Sequence, residues 1–459
     1  MGARVAITGV DMWAGGAGGM SGSFRAVYEV AKRLSNEFEV TMVFLKDGHP
    51  SAGRAAWVEG FRTVECAIGR PPIAEFPRGF LEGFDLLQVW GASRAALHTR
   101  DALSLPHCHS FHSSLEARGI LSRLEVLFDR ATDTITAAGT GVKASIASAS
   151  GLPVEVIPLG VDANRFRPLS KEDARDRVGV PRDAFVFGFL GRLWKLDFSL
   201  TYSAFRRVKA LTGREDCVLV AAGQYDRLRM RGPCWVKDDF VVLSCYPHSE
   251  VPSILNSFDV FLNTACGVRE GFGLSVLEAM ACGVPVVSVA WDGFRDTVAD
   301  GETGLLVDTA WHAGEPWVRT SQLVDACSAV LRDDAMRARM GRRAREVAAR
   351  RFTWELCGRR YARLFRGVMD LAVRSRDAHR PERPWDPGTM ERLRRADGLP
   401  ENLQRAISGL PSSRRIGNGW ERTVCDEVID FLPKYCGKRD SLREMYHERL
   451  ARHFPSLRS

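Results

Sequence analysis

The stretch that decides the fold is Glu270–Val289, EGFGLSVLEAMACGVPVVSV, together with Phe258–Thr264, FDVFLNT, just before it. The run FDVFL is short, apolar and rich in β-forming residues, which is typical of a strand buried on both faces of a parallel sheet. After the glycines of the turn, Leu274, Leu277 and Ala281 recur at helical spacing and predict a helix. The sequence GVP then ends the helix, and VPVVSV predicts the next buried strand.

A carboxylate lies on each side of the glycine-rich turn. Glu270 precedes Gly271 and Gly273, and Glu278 lies in the first turns of the predicted helix. The glycines allow backbone N–H groups at the helix start to approach an anion closely, and the helix dipole favours negative charge there. A ligand at this place could present phosphates to the helix and hydroxyl groups to both acids, as a sugar nucleotide would. An ordinary βαβ unit with two solvated glutamates is the alternative, but it does not explain why acids flank the turn.

The spacing Glu270-x7-Glu278, inside EGFGLSVLEAMACGVPVV, resembles the signature of retaining family-4 glycosyltransferases, which have the GT-B fold. The resemblance covers about residues 4–371. It implies an α/β protein in which two Rossmann-like, doubly wound parallel-sheet domains face each other across a cleft. The segment VIPLGVDANRFRP resembles the family's interdomain connection, so we place the boundary there.

The chain is therefore divided into four parts. Residues 1–165 are expected to form the N-terminal, acceptor-side domain, and residues 166–365 the sugar-nucleotide-binding domain. A closing helix is expected over 366–378. Residues 379–459, which start with the Pro-rich stretch RPERPWDPG, lie outside the resemblance and are expected to form a helical extension.

Each half of the chain begins with a strand, a glycine-containing turn and a helix. In the first half these are Arg4–Gly9, the loop WAGGAGGMSG and Ser23–Leu34; in the second, Phe185–Leu190 leads into Gly191-Arg192. Ligands of doubly wound sheets lie at the carboxyl ends of the strands, where both turns fall. Further strands are predicted at Phe38–Leu45, Leu86–Trp90, Cys108–Phe111, Thr134–Ala137, Val154–Pro158, Val218–Ala222, Phe240–Leu243, Phe258–Asn263 and Val286–Val289.

The first glycine-rich loop is expected to contact the donor. It lacks a clean GxGxxG, and no acid closes the second strand, which argues against a dinucleotide oxidoreductase. The resemblance implies a Gly-Gly pair that meets the donor diphosphate at the end of this loop. The register from the helix places Ser21-Gly22 at that pair, and Gly19 lies earlier in the loop.

The resemblance also implies roles for the residues of the second domain. Glu270 would bind the hydroxyls of the transferred sugar and stabilise its positive charge, while Glu278 would accept hydrogen bonds from the nucleotide ribose. At Gly273, Leu274 and Ser275 the helix start would turn backbone N–H groups toward the phosphates. Retention in this family is ascribed to front-face attack, with the diphosphate accepting the proton of the acceptor.

The leaving diphosphate must be stabilised by charge. Many transferases use a metal held by a DxD motif, and this sequence contains no DxD, so we expect neither a metal nor a cofactor. Arg192 matches the family's phosphate arginine. The lysine that commonly follows five residues later is replaced by Asp197, and Lys195 stands only three residues after the arginine. We predict that Lys195 reaches the phosphates and that Asp197 turns away and caps the following helix.

The histidine-rich run HCHSFH has two interpretations. On a strand, His107 and His109 would share one face, while Cys108 and His112 would point to the other. A metal site is one interpretation, but no comparable Cys/His cluster occurs elsewhere in the sequence. The segment SFHSS instead resembles the family's strand-end histidine motif, which meets the donor sugar. That assigns His112 to the site, with His109 as the alternative and a structural histidine as a third option.

Composition narrows the class of protein. The 459 residues carry a net charge of +8 and are 45% hydrophobic. This charge suits phosphorylated ligands but is too mild to indicate nucleic-acid binding. The arginine-rich segment Leu323–Phe352 leaves peripheral membrane contact open, although a solvated helix face is the simpler interpretation. No secretory segment or membrane span is recognised, and scattered cysteines fit a cytoplasmic protein.

We therefore expect a metal-independent retaining glycosyltransferase that uses a nucleotide-diphosphate sugar. The acceptor, whether a small molecule, a glycan or a lipid, is left open, as is homo-oligomerisation. The alternatives are a GT-B phosphorylase or epimerase and a catalytically dead GT-B binding partner. A phosphorylase would need a cofactor lysine, which the sequence does not identify.

Overall fold

The computed structural model describes residues 2–9, 22–47, 51–68, 79–91, 105–113, 128, 132–223, 233–237, 239–243, 246–266, 270–312 and 315–376. The predicted donor residue Gly19 and the predicted helical extension 379–459 lie outside these ranges. Helices and strands are numbered below in chain order among the described residues.

The first sheet has eight strands in the order β3-β4-β2-β1-β5-β6-β7-β8. All neighbours are parallel except β3, which is antiparallel to β4 at the edge. The strands are β1 Arg4–Gly9, β2 Glu39–Asp47, β3 Ser51–Val58, β4 Phe61–Ile68, β5 Leu86–Trp90, β6 His107–Phe111, β7 Thr134–Ala137 and β8 Glu155–Val156.

The second sheet has seven strands in the order β11-β12-β10-β9-β13-β14-β15, and β11 is antiparallel to β12. A separate pair is formed by β16 and β17. The strands are β9 Phe185–Leu190, β10 Cys217–Ala222, β11 Pro233–Lys237, β12 Phe240–Leu243, β13 Val260–Asn263, β14 Val286–Val289, β15 Gly304–Val307, β16 Thr309–His312 and β17 Glu315–Val318.

The helices of the described residues connect and cover these strands. They are α1 Gly22–Leu34, α2 Thr140–Ser150, α3 Lys171–Val178, α4 Phe198–Thr212, α5 Val251–Asn256, α6 Leu274–Ala281, α7 Phe294–Thr297, α8 Thr320–Arg332, α9 Asp334–Arg351 and α10 Trp354–Arg376. Short 3-10 turns occur at Leu193–Lys195 and His248–Glu250.

Both sheets have the doubly wound strand order of Rossmann-like domains. Strand β1 lies between β2 and β5, and strand β9 lies between β10 and β13, so the winding direction reverses beside each of them. Such a reversal opens a crevice at the carboxyl ends of the strands, where ligands bind. The two predicted α/β domains are confirmed, and the two glycine-containing turns follow β1 and β9.

The apolar runs singled out in the sequence form the buried strands. Every residue of β5, β9, β13 and β14 is buried. Continuous apolar strands of this kind occur where helices cover both faces of a parallel sheet. The strands predicted at Phe185–Leu190 and Val286–Val289 are confirmed to the residue.

The edge hairpin β3–β4 is absent from the sequence-based prediction. Its turn lies at Glu59-Gly60, where φ is +44° and +93°. Two consecutive residues with positive φ are typical of tight hairpin turns. The dipeptide Glu-Gly is a weaker hairpin signal than Asn-Gly, and the alanines of Ser51–Val58 are poor strand formers, which explains why the pattern did not reveal the hairpin.

The closing helix is longer than predicted. It was expected over 366–378, but α10 begins at Trp354, inside the range assigned to the second domain. Its Tyr361 hydroxyl lies 3.2 Å from Thr136 Oγ1 of the first sheet, and Phe365 packs on Phe38. These contacts explain why α10 begins before residue 366, because this one helix brings the chain back from the second domain to the first.

Candidate functional site

The start of α6 is shaped by Gly273. This residue has φ of +81°, and a Cβ placed on it would lie 2.2 Å from the ring of Phe294. Glycine is therefore required both by the backbone conformation and by the close packing. Because Gly273 is the N-cap and has no side chain, it offers no side-chain oxygen to the first N–H groups of Leu274 and Ser275. Those groups are suited to an anionic ligand.

The start of α1 lies next to the start of α6. A Cβ placed on Gly22, the first residue of α1, would lie 3.6 Å from Cδ1 of Leu274. The two helices belong to different domains, so their N-termini meet across the cleft. Each contributes the positive end of its dipole, as expected for a site that receives a diphosphate. The structure thus brings Gly22 together with Gly273 and Leu274.

Glu270, four residues before Leu274 in the chain, forms an ion pair with Lys195. Lys195 ends the 3-10 turn Leu193–Lys195, whose N-cap is Arg192. The Glu270 carboxylate is largely buried, with 13% of its side chain exposed, whereas Arg192 is an exposed residue. The lysine that replaces the family's usual basic residue is therefore directed to the predicted sugar-binding acid.

Asp197 caps α4. Its Oδ1 accepts a hydrogen bond of 2.9 Å from the backbone N–H of Leu200. The carboxylate is thereby committed to the helix start, where the dipole also favours it. The prediction that Asp197 turns away to cap the following helix is confirmed.

Glu278, four residues after Leu274 in α6, is paired with a residue of the first domain. Arg25 Nη2 lies 2.6 Å from Glu278 Oε1, and only 5% of the glutamate side chain is exposed. Burial raises the pKa of the Glu278 carboxyl, and Arg25 and Arg165 oppose that rise. The predicted ribose acid is therefore a buried acid held in an interdomain ion pair.

His248 joins the same cluster. Its Nε2 lies 2.5 Å from Arg25 Nη1, and its Nδ1 lies 2.5 Å from Arg165 Nη2. Burial, together with the two guanidinium charges, lowers the pKa of His248 to about 4. The imidazole is thus neutral at pH 7. The charged groups of the cluster are therefore the guanidinium groups of Arg25 and Arg165 and the carboxylate of Glu278.

Arg25, Arg165 and His248 are site residues that the sequence pattern did not reveal. One signal was available for Arg25, which lies three residues after Gly22 at the cleft end of a predicted helix. The other two lie on connections between helices and strands, where periodicity carries no information about position.

His112 follows β6 and lies against the Glu270 turn. A Cβ placed on Gly271 would lie 1.5 Å from the His112 carbonyl oxygen, so glycine is required for this approach. The buried His112 ring stacks on Trp90, with centroids 4.7 Å apart and an interplanar angle of 24°. The structure therefore brings His112 together with the segment that carries Glu270.

The other two histidines lie on the strand itself. His107 and His109 stack with ring centroids 5.7 Å apart, which confirms the prediction that these two side chains share one face of the strand. His107 Nδ1 lies 3.9 Å from the carboxylate of Asp133. Within the part of the chain that the structure describes, no cluster of three or more His, Cys, Asp or Glu side chains is arranged to hold a metal ion.

Among the helices of the described residues, none combines the length and the apolar character that crossing a bilayer demands.

Two family models match the chain, one for each domain. Residues 20–165 match the model described as Glycosyltransferase Family 4, and residues 170–347 match Glycosyl transferases group 1. The gap between the matches coincides with the predicted interdomain connection.

Relatives with a known name include D-inositol 3-phosphate glycosyltransferases. The protein of that name from Stackebrandtia nassauensis is 30% identical over 300 residues, which are 59% of this chain and 65% of the relative. The one from Corynebacterium jeikeium is 27% identical over 398 residues, 74% of this chain and 90% of the relative. A third, from Streptosporangium roseum, is 31% identical over 47% of this chain and 50% of its own length. The chain thus spans just under two thirds of the first of these relatives and half of the third.

Solved structures support the same fold. Sucrose-phosphate synthase from Thermosynechococcus elongatus superposes with a TM-score of 0.62 at 20% identity, covering 80% of this chain and 99% of that one. Anabaena HepE, solved in complex with UDP and glucose, superposes with a TM-score of 0.57 at 17% identity, covering 80% of this chain and 100% of that one. With the two family models matching the two Rossmann-like domains in order, the chain belongs to the family-4 glycosyltransferases of the GT-B fold.

Proposed function

We propose that this chain transfers a sugar from a nucleotide-diphosphate donor to an acceptor hydroxyl, with retention at the anomeric carbon and without a metal ion. One observation carries the proposal. The N-termini of α1 and α6 meet at Gly22 and Leu274, and Leu274 is flanked in the sequence by the largely buried acid Glu270 and the buried acid Glu278. A diphosphate fits the helix ends, and the two acids fit the hydroxyl groups on either side of it.

In this proposal the donor spans the site from Glu278 to Glu270. Glu278 would accept hydrogen bonds from the ribose, and the diphosphate would lie at the start of α6. The sugar would lie between Glu270 and His112, whose backbone carbonyl touches the Glu270 turn. A structural neighbour supports a nucleotide sugar, since HepE was solved with UDP and with UDP-glucose.

The reaction would proceed as follows. The bond between the anomeric carbon and the diphosphate oxygen breaks, and the diphosphate takes the electron pair. The acceptor hydroxyl forms a new bond on the same face of the sugar and gives its proton to the departing diphosphate. Lys195 and Arg192 would stabilise the charge that develops on the diphosphate, and Glu270 the positive charge on the sugar.

The proposal is tested with purified protein and a panel of UDP, ADP and GDP sugars. We expect release of the nucleoside diphosphate from at least one donor, unchanged by EDTA and strongly reduced in Glu270→Gln. Turnover that stops in EDTA and returns with a divalent cation would contradict the metal-free chemistry. An anomeric configuration opposite to that of the donor, measured by NMR on the product, would contradict retention.

A GT-B phosphorylase or epimerase is one alternative, and a catalytically dead binding partner is the other. Nucleoside diphosphate binding without cleavage of any donor, with or without acceptor alcohols, would favour it. The pairing of Glu270 with Lys195 and of Glu278 with Arg25 favours a working enzyme, because both acids are held in place with basic partners.

A further inference from the structure

The first turn of α2, in the first domain, is capped by a residue of the second domain. The backbone N–H of Thr140 donates to Asp296 Oδ2 at 2.7 Å, and its hydroxyl donates to Asp296 Oδ1 at 2.6 Å. The residue in the N-cap position, Gly139, has no side chain to serve this purpose. A carboxylate is favoured at a helix N-terminus, so the second domain supplies what the first domain lacks.

The sequence around Thr140 permits this close approach. A Cβ on Gly139 would lie 2.9 Å from Asp296 Oδ2, and a Cβ on Gly141 would lie 2.5 Å from Asp292 Oδ1. Thr140 is thus flanked by two glycines where the two carboxylates of the second domain approach the start of α2. A residue larger than glycine at position 139 or 141 would displace the segment that carries Asp292 and Asp296.

The segment that carries Asp296 also holds the Glu270 turn. The N–H of Gly293 donates to the carbonyl of Gly271 at 2.8 Å, and a Cβ on Gly293 would lie 2.2 Å from the same oxygen. Gly271 in turn lies on the backbone carbonyl of His112. A continuous set of contacts therefore runs from Thr140 through Asp296 and Gly293 to the residue that follows Glu270.

We propose that Asp296 is a positioning residue for the transfer reaction. By capping α2 across the domain boundary, it fixes the segment Asp292–Asp296, which holds the Glu270 turn against His112 in the geometry that the sugar requires. The inference rests on the proposed function, in which Glu270 faces the transferred sugar. Asp296 lies outside the signature Glu270-x7-Glu278. It acts on Glu270 indirectly, through the backbone of Gly293 and Gly271.

The test compares Asp296→Asn and Thr140→Val with wild type. We expect kcat for donor cleavage to fall about ten-fold in Asp296→Asn, since a charge-assisted contact is lost, and less in Thr140→Val, which keeps the backbone N–H. The dissociation constant for the nucleoside diphosphate should stay within about two-fold of the wild-type value, because neither Glu278 nor Arg25 takes part in the contact between Thr140 and Asp296. The double variant should be no slower than Asp296→Asn, as expected for partners in one interaction.

Two controls separate positioning from general damage. Thr140→Ser keeps both donors and should retain wild-type kcat. Glu302→Gln removes an exposed carboxylate of the same domain, 62% exposed, and should leave kcat unchanged. Wild-type kcat in Asp296→Asn would overturn the proposal, and so would an equal loss of kcat and nucleotide affinity.

Amide hydrogen exchange gives a readout that does not depend on turnover. In Asp296→Asn, amides of 270–276 should exchange several-fold faster while the melting temperature of the second domain is retained. If wild type cleaves no donor, the proposed function fails, and the exchange rates alone decide the positioning role. Unchanged exchange over 270–276 in both Asp296→Asn and Thr140→Val would overturn it.

Discussion

Arg25 and Glu278 form an ion pair that joins the two domains. The distance between Arg25 Nη2 and Glu278 Oε1 is 2.6 Å, and the exposed fractions of the two side chains are 14% and 5%. Each residue lies one turn inside a helix whose start forms the candidate diphosphate site. The pair therefore connects nucleotide recognition in the second domain to the position of the first.

Replacing Arg25 by Met should destabilise the protein. The buried Glu278 carboxylate would lose its nearest positive partner, and removing one member of a buried pair costs about 3 kcal/mol. The free energy of unfolding, measured by urea denaturation at pH 7, checks this. Arg25→Lys keeps the charge and should lose less, and Arg25→Met combined with Glu278→Gln should recover part of the loss. Equal stability of wild type and Arg25→Met would show that the pair contributes nothing.

His248 should make stability fall on acidification. Its pKa is about 4 in the folded protein, against an ordinary value of 6.5, so the unfolded chain takes up the proton first as the pH falls. The free energy of unfolding should therefore decrease between pH 6.5 and pH 4. In His248→Gln this decrease should be smaller. The difference between the two curves isolates His248, because Glu278, whose pKa is shifted the opposite way, is present in both. Parallel curves across this range would contradict the neutral, buried imidazole.

The sequence predicted the sheets well because their strands are continuous apolar runs bounded by glycine. Strand Phe185–Leu190 and the helix after Gly273 show this, since local pattern and tertiary burial agree there. It predicted less where a contact joins distant segments. The pair Arg25–Glu278 and the cap of Thr140 by Asp296 join residues of different domains, and no local periodicity encodes such a meeting.

Asp197 should act on stability and leave nucleotide binding unchanged. Asp197→Ala removes the side-chain cap of α4 and should cost about 1 kcal/mol of unfolding free energy. Asp197→Asn is the matched control, since asparagine caps helices well. Calorimetry with a nucleoside diphosphate should give the same dissociation constant for all three proteins. A ten-fold weaker affinity in Asp197→Ala would place this residue in the donor site instead.

Lys195 and Arg192 should both support departure of the diphosphate. Losing one charge-assisted contact to the leaving group costs about 1.5–3 kcal/mol, which lowers the rate roughly ten- to a hundred-fold. We therefore expect kcat/KM for donor cleavage to fall in this range in Lys195→Ala and in Arg192→Ala. Because Lys195 also pairs with Glu270, its loss should affect kcat more than nucleotide affinity. Wild-type activity in Lys195→Ala would mean that Arg192 acts without it.

The most direct measurement is calorimetric titration of wild type, Glu278→Gln and Glu270→Gln with UDP, ADP and GDP in the presence of EDTA. We expect wild type to bind at least one of them without metal. Glu278→Gln should bind it at least about ten-fold more weakly, since ribose contacts are made in the ground state, while Glu270→Gln should bind it like wild type. Failure of wild type to bind any of these nucleotides at millimolar concentration, or equal affinity in wild type and Glu278→Gln, would contradict the assignment of the donor site.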